Sequence, residues 1–97
     1  MRSEFTSRVY DAARQIPAGR VTSYGCLAAL AGNPRAGRIV GYVMHTCPAS
    51  EAVPCHRVVT RDGRLCPSYA AQRHLLEEEG VCFLPDGRVD MPRFCWP

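Results

Sequence analysis

The sequence of 97 residues contains no lysine, and all twelve of its basic residues are arginines. Guanidinium groups bind phosphate through paired hydrogen bonds and stack on bases, which favours a nucleic-acid partner. A bias in genomic base composition explains the same count at least as well, and the net charge is only +3. The positions of individual arginines therefore carry more information than their number.

Long apolar runs and low-complexity tracts are also absent. No segment approaches the roughly 20 apolar residues of a membrane span, and residues 1–5 contain no apolar signal core. A hydrophobic content of 46% is typical of a folded protein rather than a disordered one. The sequence therefore predicts a single domain over residues 1–97 that is cytoplasmic and has no membrane partner.

The six cysteines include no Cys-x-x-Cys pair, which is the local spacing that structural zinc sites usually show. A disulfide scaffold is disfavoured as well, because there is no export signal and cytosolic thiols stay reduced. We therefore expect neither a metal site nor a cofactor, and we expect most of these thiols to fill the core. The cysteines are Cys26, Cys47, Cys55, Cys66, Cys82 and Cys95.

One cysteine, Cys55, directly precedes His56 and directly follows Pro54 in the short apolar segment 53–59. A nearby base or positive charge can convert a thiol into the thiolate, which is the nucleophile. Adjacent side chains on a regular strand point to opposite faces, so the pair can cooperate only through a turn or bulge at Pro54 or through a third group. The alternative is a buried cysteine that packs as a small hydrophobe.

Apolar residues at helical spacing predict four helices. They cover residues 4–15 after a cap near Ser3, the segment from a cap at Thr22 or Ser23 to about Ala31, residues 35–46, and residues 70–79. Pro34 is expected in the first turn of the third helix, and Gly80 is expected to close the last one. The second and third helices, joined by a turn of three to four residues that contains glycine, are typical of a helix-turn-helix.

The third predicted helix has two distinct faces. Its apolar stripe consists of Ile39, Val40, Val43 and Met44, and its outward face consists of Arg38, Gly41, Tyr42 and His45. Gly37 and Gly41 each cost a helix about 1 kcal/mol relative to alanine. That cost is explained if another surface approaches the helix backbone closely, or if the glycines pack against a second helix.

The last predicted helix directs a carboxylate inward. Ala71, Leu75 and Glu79 lie four residues apart, so Glu79 is expected on the buried stripe. A carboxylate in that position needs a partner, such as a histidine or a water.

Turn-forming residues mark the remaining segments. Those at 61–64 predict a small hairpin or wing over residues 53–66. In the tail, Asp86–Gly87 predicts a turn between two short extended segments, and Phe94 and Trp96 are expected to cover the core.

Three ordered motifs, Ile16–Gly25, Ala31–Gly41 and Pro54–Val58, have the sequences IPAGRVTSYG, AGNPRAGRIVG and PCHRV. With them the chain resembles the DNA-binding, active-site domain of O6-alkylguanine-DNA alkyltransferases and alkyltransferase-like proteins, from about residue 5 to the end. The resemblance implies a mainly α fold, a winged helix-turn-helix domain with a small β wing, that acts as a monomer without a cofactor. Such a domain binds duplex DNA containing alkylated guanine through the minor groove and flips the damaged base into a pocket.

The resemblance also implies roles for individual residues. Cys55 matches the cysteine that accepts the alkyl group, His56 the base that deprotonates it through a water, and Glu79 the carboxylate that orients this histidine. Tyr24 matches the tyrosine that helps to rotate the nucleotide, and Arg38 matches the arginine that fills the vacated base stack. The predicted DNA-binding set is completed by Ala36, Gly37, Gly41 and Arg57, and the two glycines leave room for the DNA backbone.

The chain departs from active alkyltransferases in several respects. The separate N-terminal domain of most members is absent, and Cys47 occupies the position of an asparagine that braces the active-site turn. The segment Cys66–Tyr69 is shorter than usual and lacks the Tyr-Ser-Gly-Gly loop that walls the pocket. Residues 89–96 are similar to the tail of alkyltransferase-like proteins, which normally carry tryptophan in place of Cys55 and transfer nothing.

Three functions compete on these grounds. Retention of Cys55, His56 and Glu79 favours a single-turnover methyltransferase that moves the alkyl group from guanine O6 irreversibly to Cys55. The departures favour a non-enzymatic sensor that holds the lesion for nucleotide excision repair proteins. A winged-helix transcription regulator explains the fold but leaves the cysteine, histidine and carboxylate unexplained. We therefore expect alkyl transfer, with damage sensing as the alternative.

Overall fold

The structure is a computed structural model that describes residues 3–97, and this part of the chain is mainly helical. Its elements are α1 (Glu4–Arg14), β1 (Thr22–Ser23), α2 (Tyr24–Leu30), α3 (Gly37–His45), β2 (Val58–Val59), α4 (Gln72–Glu78) and α5 (Met91–Phe94). The predicted mainly α fold class is confirmed, although the short helix α5 was not predicted. Within residues 3–97, no helix is long and apolar enough to cross a membrane.

Side-chain caps fix where the first two helices begin. The hydroxyl of Ser3 accepts a hydrogen bond from the N–H of Thr6 at 3.1 Å, and that of Ser23 accepts one from the N–H of Cys26 at 3.0 Å. Each cap satisfies a backbone donor that has no partner inside its helix. The predicted cap at Ser3 is therefore confirmed, and Ser23 rather than Thr22 caps α2.

A turn delays the start of α3 to Gly37, two residues later than predicted. The side-chain oxygen of Asn33 accepts a hydrogen bond from the N–H of Arg35 at 3.1 Å, and its carbonyl accepts one from the N–H of Ala36 at 3.0 Å. Pro34 lies in this turn rather than in the helix. The connection between α2 and α3 is consequently longer than the turn of three to four residues that was expected.

The two strands pair in parallel, with Thr22 opposite Val58 and Ser23 opposite Val59. A parallel pair needs a crossover connection, which α2 and α3 provide. The turn predicted at 61–64 is present, because the N–H of Gly63 donates to the carbonyl of Thr60 at 2.9 Å. The hairpin predicted over residues 53–66 is wrong, since β2 pairs with β1 instead. An antiparallel bridge occurs instead in the tail, between Phe83 and Val89, and it confirms the turn predicted at 86–87.

The apolar interior consists of two clusters. The larger one joins α1, α2 and α3 through residues such as Val9, Leu27 and Val40. The smaller one contains Val21, Val59, Leu76, Val81 and Val89. The tail covers both clusters, because Trp96 packs against the larger and Phe94 against the smaller. The aromatic cover predicted for the tail is confirmed, but it is divided between two cores.

The cysteines do not contribute to the buried core. All six are free thiols in the described part of the chain; Cys82 and Cys95 are exposed and the other four are partly exposed. Cys47 and Cys55 pack against the edge of the larger cluster. The prediction that most cysteines fill the core is wrong, because these positions lie in loops and at the ends or outer faces of helices.

The inward face of α4 is defined by Gln72 and Leu76, which are fully buried. This face lies one residue further along the chain than the predicted stripe of Ala71 and Leu75. Gly80 follows the helix with a φ of +89°, a left-handed conformation that closes it as predicted. Glu79 still faces inward, because it lies three residues after Leu76.

Candidate active site

Pro54 bends the chain immediately before Cys55. Its φ of −76° and ψ of 68°, with a hydrogen bond of 2.8 Å from the N–H of Cys55 to the carbonyl of Val53, are the geometry of an inverse γ-turn. The residues Cys55–Arg57 then form one turn of 3-10 helix, named the Cys55 turn, which leads directly into β2. The turn predicted at Pro54 is confirmed.

The carboxylate of Glu79 connects three parts of the chain. Its Oε2 atom lies 2.9 Å from Nε2 of His56 and accepts a hydrogen bond of 2.7 Å from Nη2 of Arg57. Its Oε1 atom accepts hydrogen bonds from Nε of Arg57 at 3.0 Å and from the N–H of Gly19 at 3.2 Å. The three side chains of this cluster are only 16–18% exposed. The histidine partner expected for Glu79 is confirmed, and an arginine accompanies it.

These contacts keep Glu79 ionised and fix the tautomer of His56. Hydrogen bonds from Arg57, and then from His56 and Gly19, lower the pKa of Glu79 to about 2 in spite of its partial burial. An ionised carboxylate only accepts hydrogen bonds, so Nε2 of His56 carries the proton that it donates. The neutral ring then has its lone pair on Nδ1, which can take a proton from a thiol directly or through a water.

The guanidinium of Arg57 binds other parts of the protein. Its Nη1 atom donates a hydrogen bond of 2.8 Å to the carbonyl of Ile16, while Nε and Nη2 bind Glu79. The guanidinium thus connects the Cys55 turn to the loop after α1 and to the end of α4. All three of its nitrogens donate inward, and the DNA contact predicted for Arg57 stays a prediction.

A cavity of about 390 Å³ opens beside Cys55. It is lined by Tyr24, Gly41, Met44, His45, Cys47, Pro48, Ala49, Ala52, Val53, Cys55, Cys66, Ser68, Tyr69 and Gln72. This volume is within the range of small-molecule sites, about 300–1,000 Å³. Among residues 3–97, no group of three or more His, Cys, Asp or Glu side chains is placed to hold a metal ion.

Two groups that line the cavity are protonated at neutral pH. Burial, followed by the neighbouring thiol of Cys47, raises the pKa of Cys55 to about 12. Burial also raises the pKa of Tyr24, whose hydroxyl therefore remains a hydrogen-bond donor. Deprotonation of Cys55 consequently requires a base, and His56, the next residue in the chain, has a ring nitrogen that does not contact Glu79.

The outer face of α3 presents a mixed polar and apolar surface. Arg38 is exposed at its second position, and Ile39 and Tyr42 are 55% and 70% exposed. The inward position predicted for Ile39 is wrong, because Val40, Val43 and Met44 alone form the buried stripe of this helix. Arg38 occupies the outward position that was predicted for it.

The two glycines of α3 lie in different surroundings. A Cβ atom at Gly37 would lie 3.5 Å from the Cα of Gly25, which is an ordinary van der Waals distance, so the packing of α3 against α2 does not itself require a glycine here. A Cβ atom at Gly41 would meet nothing within 4 Å, and Gly41 lines the cavity. Ala36 is 3% exposed within the larger cluster. The side chain of Ala36 is therefore a core contact, and the DNA contact predicted at this position stays a prediction.

The family model for the DNA-binding domain of 6-O-methylguanine DNA methyltransferases matches residues 4–81. The chain belongs to this family. The match extends over the Cys55 turn and Glu79, so the resemblance inferred from the three sequence motifs is confirmed.

The similar proteins include one named for base flipping and others named for methyl transfer. The chain is 42% identical over 95 residues to a DNA base-flipping protein of Escherichia coli, in an alignment covering 95% of this chain and 74% of the relative. It is 44% identical over 84 residues to a methylated-DNA–protein-cysteine methyltransferase of Salmonella typhimurium, covering 82% of this chain and 48% of the relative. The chain thus spans about half the length of that methyltransferase.

The fold is shared along the whole chain with a member of the family whose structure has been solved. The crystal structure of Schizosaccharomyces pombe Atl1 in complex with damaged DNA containing O6-carboxymethylguanine has a TM-score of 0.86 with this chain, at 34% sequence identity. The similarity covers 100% of this chain and 99% of Atl1.

Gln72 lines the cavity beside Cys55, and the sequence analysis did not identify it as a site residue. Its amide donates to the carbonyl of His56 at 3.1 Å, within the Cys55 turn. The available signal was its spacing of four residues from Leu76, which places a glutamine on an apolar helix stripe. A buried amide in such a position indicates specific hydrogen-bond partners.

Proposed function

We propose that the protein binds O6-alkylguanine in duplex DNA, takes the flipped base into the cavity beside Cys55 and transfers the alkyl group to the sulfur of Cys55. The observation that carries this proposal is the arrangement of the Cys55 turn. Cys55 lines the cavity, while its neighbour His56 is held by Glu79 in the tautomer whose free nitrogen can accept a proton.

Recognition would use the outer face of α3 and the cavity together. Flipping a base out of a duplex costs a few kcal/mol of stacking and pairing energy. Arg38, which is exposed on the outer face of α3, would fill the vacated stack, and Tyr24 lines the cavity that would receive the base. The relative named a DNA base-flipping protein, and Atl1 bound to DNA containing O6-carboxymethylguanine, support this part of the proposal.

The transfer itself is a displacement at the alkyl carbon. The sulfur of Cys55 forms a bond to that carbon while the bond from the carbon to guanine O6 breaks. The thiol proton passes through Nδ1 of His56 to the guanine, which leaves as the unmodified base. The sulfur keeps the alkyl group as a thioether, so each molecule reacts once and consumes no cofactor.

A second candidate function is recognition without transfer. The high pKa of Cys55, raised by burial and by Cys47, favours this reading because the thiol is a weak nucleophile until it is deprotonated. In that case the protein would hold the lesion for nucleotide excision repair proteins. The same cavity and the same α3 surface would serve both functions.

Intact-mass measurement separates the two candidates. The protein is incubated for several hours with a duplex that contains O6-methylguanine, and the peptide containing Cys55 is then analysed. Alkyl transfer predicts the gain of one methyl group on Cys55, and none on Cys26, Cys66, Cys82 or Cys95. The variant Cys55→Ser provides the control and should bind the duplex without any gain. Tight binding by the wild-type protein with no change in mass would exclude transfer and leave recognition alone.

A further inference from the structure

The amide of Gln72 is buried and fully engaged. Gln72 is the first residue of α4 and is 1% exposed. Its Nε2 atom donates hydrogen bonds to the carbonyl oxygens of His56 at 3.1 Å and Val58 at 3.0 Å. Its Oε1 atom accepts a hydrogen bond from the N–H of Cys66 at 2.8 Å. Both amide protons are therefore used, as expected for a polar group removed from water.

These partners leave only one orientation for the amide. Exchanging its oxygen and nitrogen would place an acceptor against two carbonyl oxygens and a donor against the N–H of Cys66. Gln72 can satisfy all three groups only when its nitrogen faces the Cys55 turn and its oxygen faces Cys66. The amide consequently has a fixed position between two segments of backbone.

The two segments joined by Gln72 form different walls of the cavity. The carbonyls belong to the middle residue of the Cys55 turn and to the first residue of β2. The N–H belongs to the segment 66–69, from which Cys66, Ser68 and Tyr69 line the cavity. The distance between the nucleophile and this wall is thus set partly by the length of one side chain.

Side-chain amides are few in this sequence. The sequence contains three side-chain amides, those of Gln15, Asn33 and Gln72. Asn33 bonds within the turn before α3, whereas Gln72 bonds to the Cys55 turn. The side-chain amide that contacts the Cys55 turn is therefore the one from α4.

We infer that Gln72 is a positioning residue of this site, whose amide holds the Cys55 turn and the segment 66–69 at the separation that selects alkylated guanine over guanine. The inference rests on the proposed function and extends it, because it names the residue on which lesion preference depends. Gln72 acts through the backbone of His56, Val58 and Cys66. The outer face of α3 makes none of these bonds and would retain its affinity for undamaged duplex.

Two substitutions test this role in different ways. Gln72→Met keeps the length of the side chain and removes all three hydrogen bonds. Gln72→Glu keeps the acceptor for Cys66 but places a carboxylate against two carbonyl oxygens. A negative charge is favourable at the start of a helix, so Gln72→Glu is not expected to disrupt α4 itself. Protonation of the glutamate at lower pH would return one donor to the Cys55 turn.

Thr22→Val provides the matched control. Thr22 is fully buried in β1, and its hydroxyl has no hydrogen-bond partner in the described part of the chain. The substitution replaces a buried polar side chain with an apolar one of similar size, as Gln72→Met does. It removes none of the bonds made by Gln72. Any general effect of a buried polar-to-apolar change should therefore appear in both variants.

Each substitution is combined with Cys55→Ser, so that transfer cannot consume the protein during the measurement. Binding is measured on duplex containing O6-methylguanine and on the same duplex undamaged. We expect Gln72→Met to reduce the ratio of the two affinities by about tenfold, since buried groups lose their partners. Binding to undamaged duplex should stay within about twofold, and Thr22→Val should keep the full preference. The preference of Gln72→Glu should recover as the pH is lowered towards 5, unlike that of Gln72→Met.

The rate at which iodoacetamide labels Cys55 gives a readout that is independent of DNA. It is measured in proteins that retain Cys55 and show a native circular dichroism spectrum. Gln72→Met should change this rate several-fold relative to Thr22→Val. A folded Gln72→Met protein with unchanged labelling and unchanged preference would overturn the inference. If Gln72→Met does not fold, a pH-independent preference in Gln72→Glu would overturn it. A wild-type protein that has no preference for the lesion would refute the proposed function, and the labelling rate would still test Gln72.

Discussion

Glu79 and His56 are 23 residues apart in the chain, and their side chains meet with Oε2 of Glu79 at 2.9 Å from Nε2 of His56. The contact joins the end of α4 to the Cys55 turn. Because Arg57 keeps the carboxylate ionised, the contact also determines which ring nitrogen of His56 carries the proton. Glu79 is therefore expected to affect both the stability of the fold and the protonation of His56.

Glu79 should make the fold sensitive to acid. Its pKa of about 2 in the folded protein lies below the ordinary value of 4.5. A carboxyl group with a lowered pKa stabilises the fold above its unfolded pKa, and this contribution is lost as the pH falls through the folded pKa. We expect the wild-type protein to lose more stability between about pH 5 and about pH 2 than Glu79→Gln does.

Urea unfolding at a series of pH values measures this difference. Glu78→Gln is the control, because Glu78 lies next to Glu79 in the chain and is 60% exposed. It should follow the wild-type curve. Parallel loss of stability in the wild type and Glu79→Gln would contradict the assignment of the lowered pKa.

His56 should act on the chemical step rather than on binding. His56→Ala removes the base that receives the thiol proton, so we expect alkyl transfer to slow by about 100-fold or more. The affinity for lesion duplex should change far less, because the α3 surface is untouched. The loss of transfer rate is measured in single-turnover experiments, and the loss of affinity is measured by binding to the same duplex. His74→Ala, which alters an exposed histidine on α4, should leave both unchanged. Equal losses of rate and affinity in a folded His56→Ala protein would mean that its role is misassigned.

Cys47 should restrain the reactivity of Cys55. Its thiol contributes, after burial, to the high pKa of Cys55. Cys47→Ala removes this contribution, so the pKa of Cys55 should fall and transfer near neutral pH should accelerate. Each unit by which the pKa falls increases the thiolate fraction about tenfold. The test is the pH dependence of the transfer rate, with Cys82→Ala at an exposed position as the control. Superimposable profiles for the wild type and Cys47→Ala would show that the two thiols are independent.

Arg38 should be needed for lesion preference, whether or not transfer occurs. Its side chain stabilises the flipped state only after the base has left the stack, so Arg38→Ala should weaken binding to the lesion duplex most. An arginine that contacts only phosphate would lower affinity for both duplexes equally and reduce the salt dependence by about one charge. Binding at several salt concentrations separates these outcomes. Arg35→Ala, at an exposed position in the turn before α3, is the comparison for a general loss of charge.

Local features of this fold follow closely from the sequence. The caps at Ser3 and Ser23 and the left-handed Gly80 are predictable, because each acts within a single turn of the chain. The inward direction of Glu79 is predictable as well, although the predicted stripe of α4 is displaced by one residue. That displacement arose because Ala71 and Leu75 are apolar, whereas the buried position is occupied by Gln72.

The features that depend on distant partners could not be predicted in this way. Strands of two residues, such as Val58–Val59, show no periodicity that would identify their partner. The pairing of β2 with β1 was therefore not predicted, and residues 53–66 were assigned to a hairpin. Arg57 was assigned to DNA because nothing in its neighbours indicates that Glu79 and Ile16 surround it. Fold-level contacts decide whether a given arginine faces solvent or the interior.

The division of the apolar interior into two clusters affects how the site unfolds locally. Cys55 packs against the larger cluster, whereas Glu79 follows Leu76 of the smaller one. Protein segments open in separate cooperative units, and a unit with fewer buried apolar contacts opens more often. Transient opening around α4 would therefore disconnect Glu79 from His56 while α2 and α3 stay folded. In amide hydrogen exchange, Val81, whose N–H is bonded to Leu76, should exchange ahead of Val40 in α3. While α4 is open, the domain would still bind DNA through α3, but His56 would no longer be oriented by Glu79.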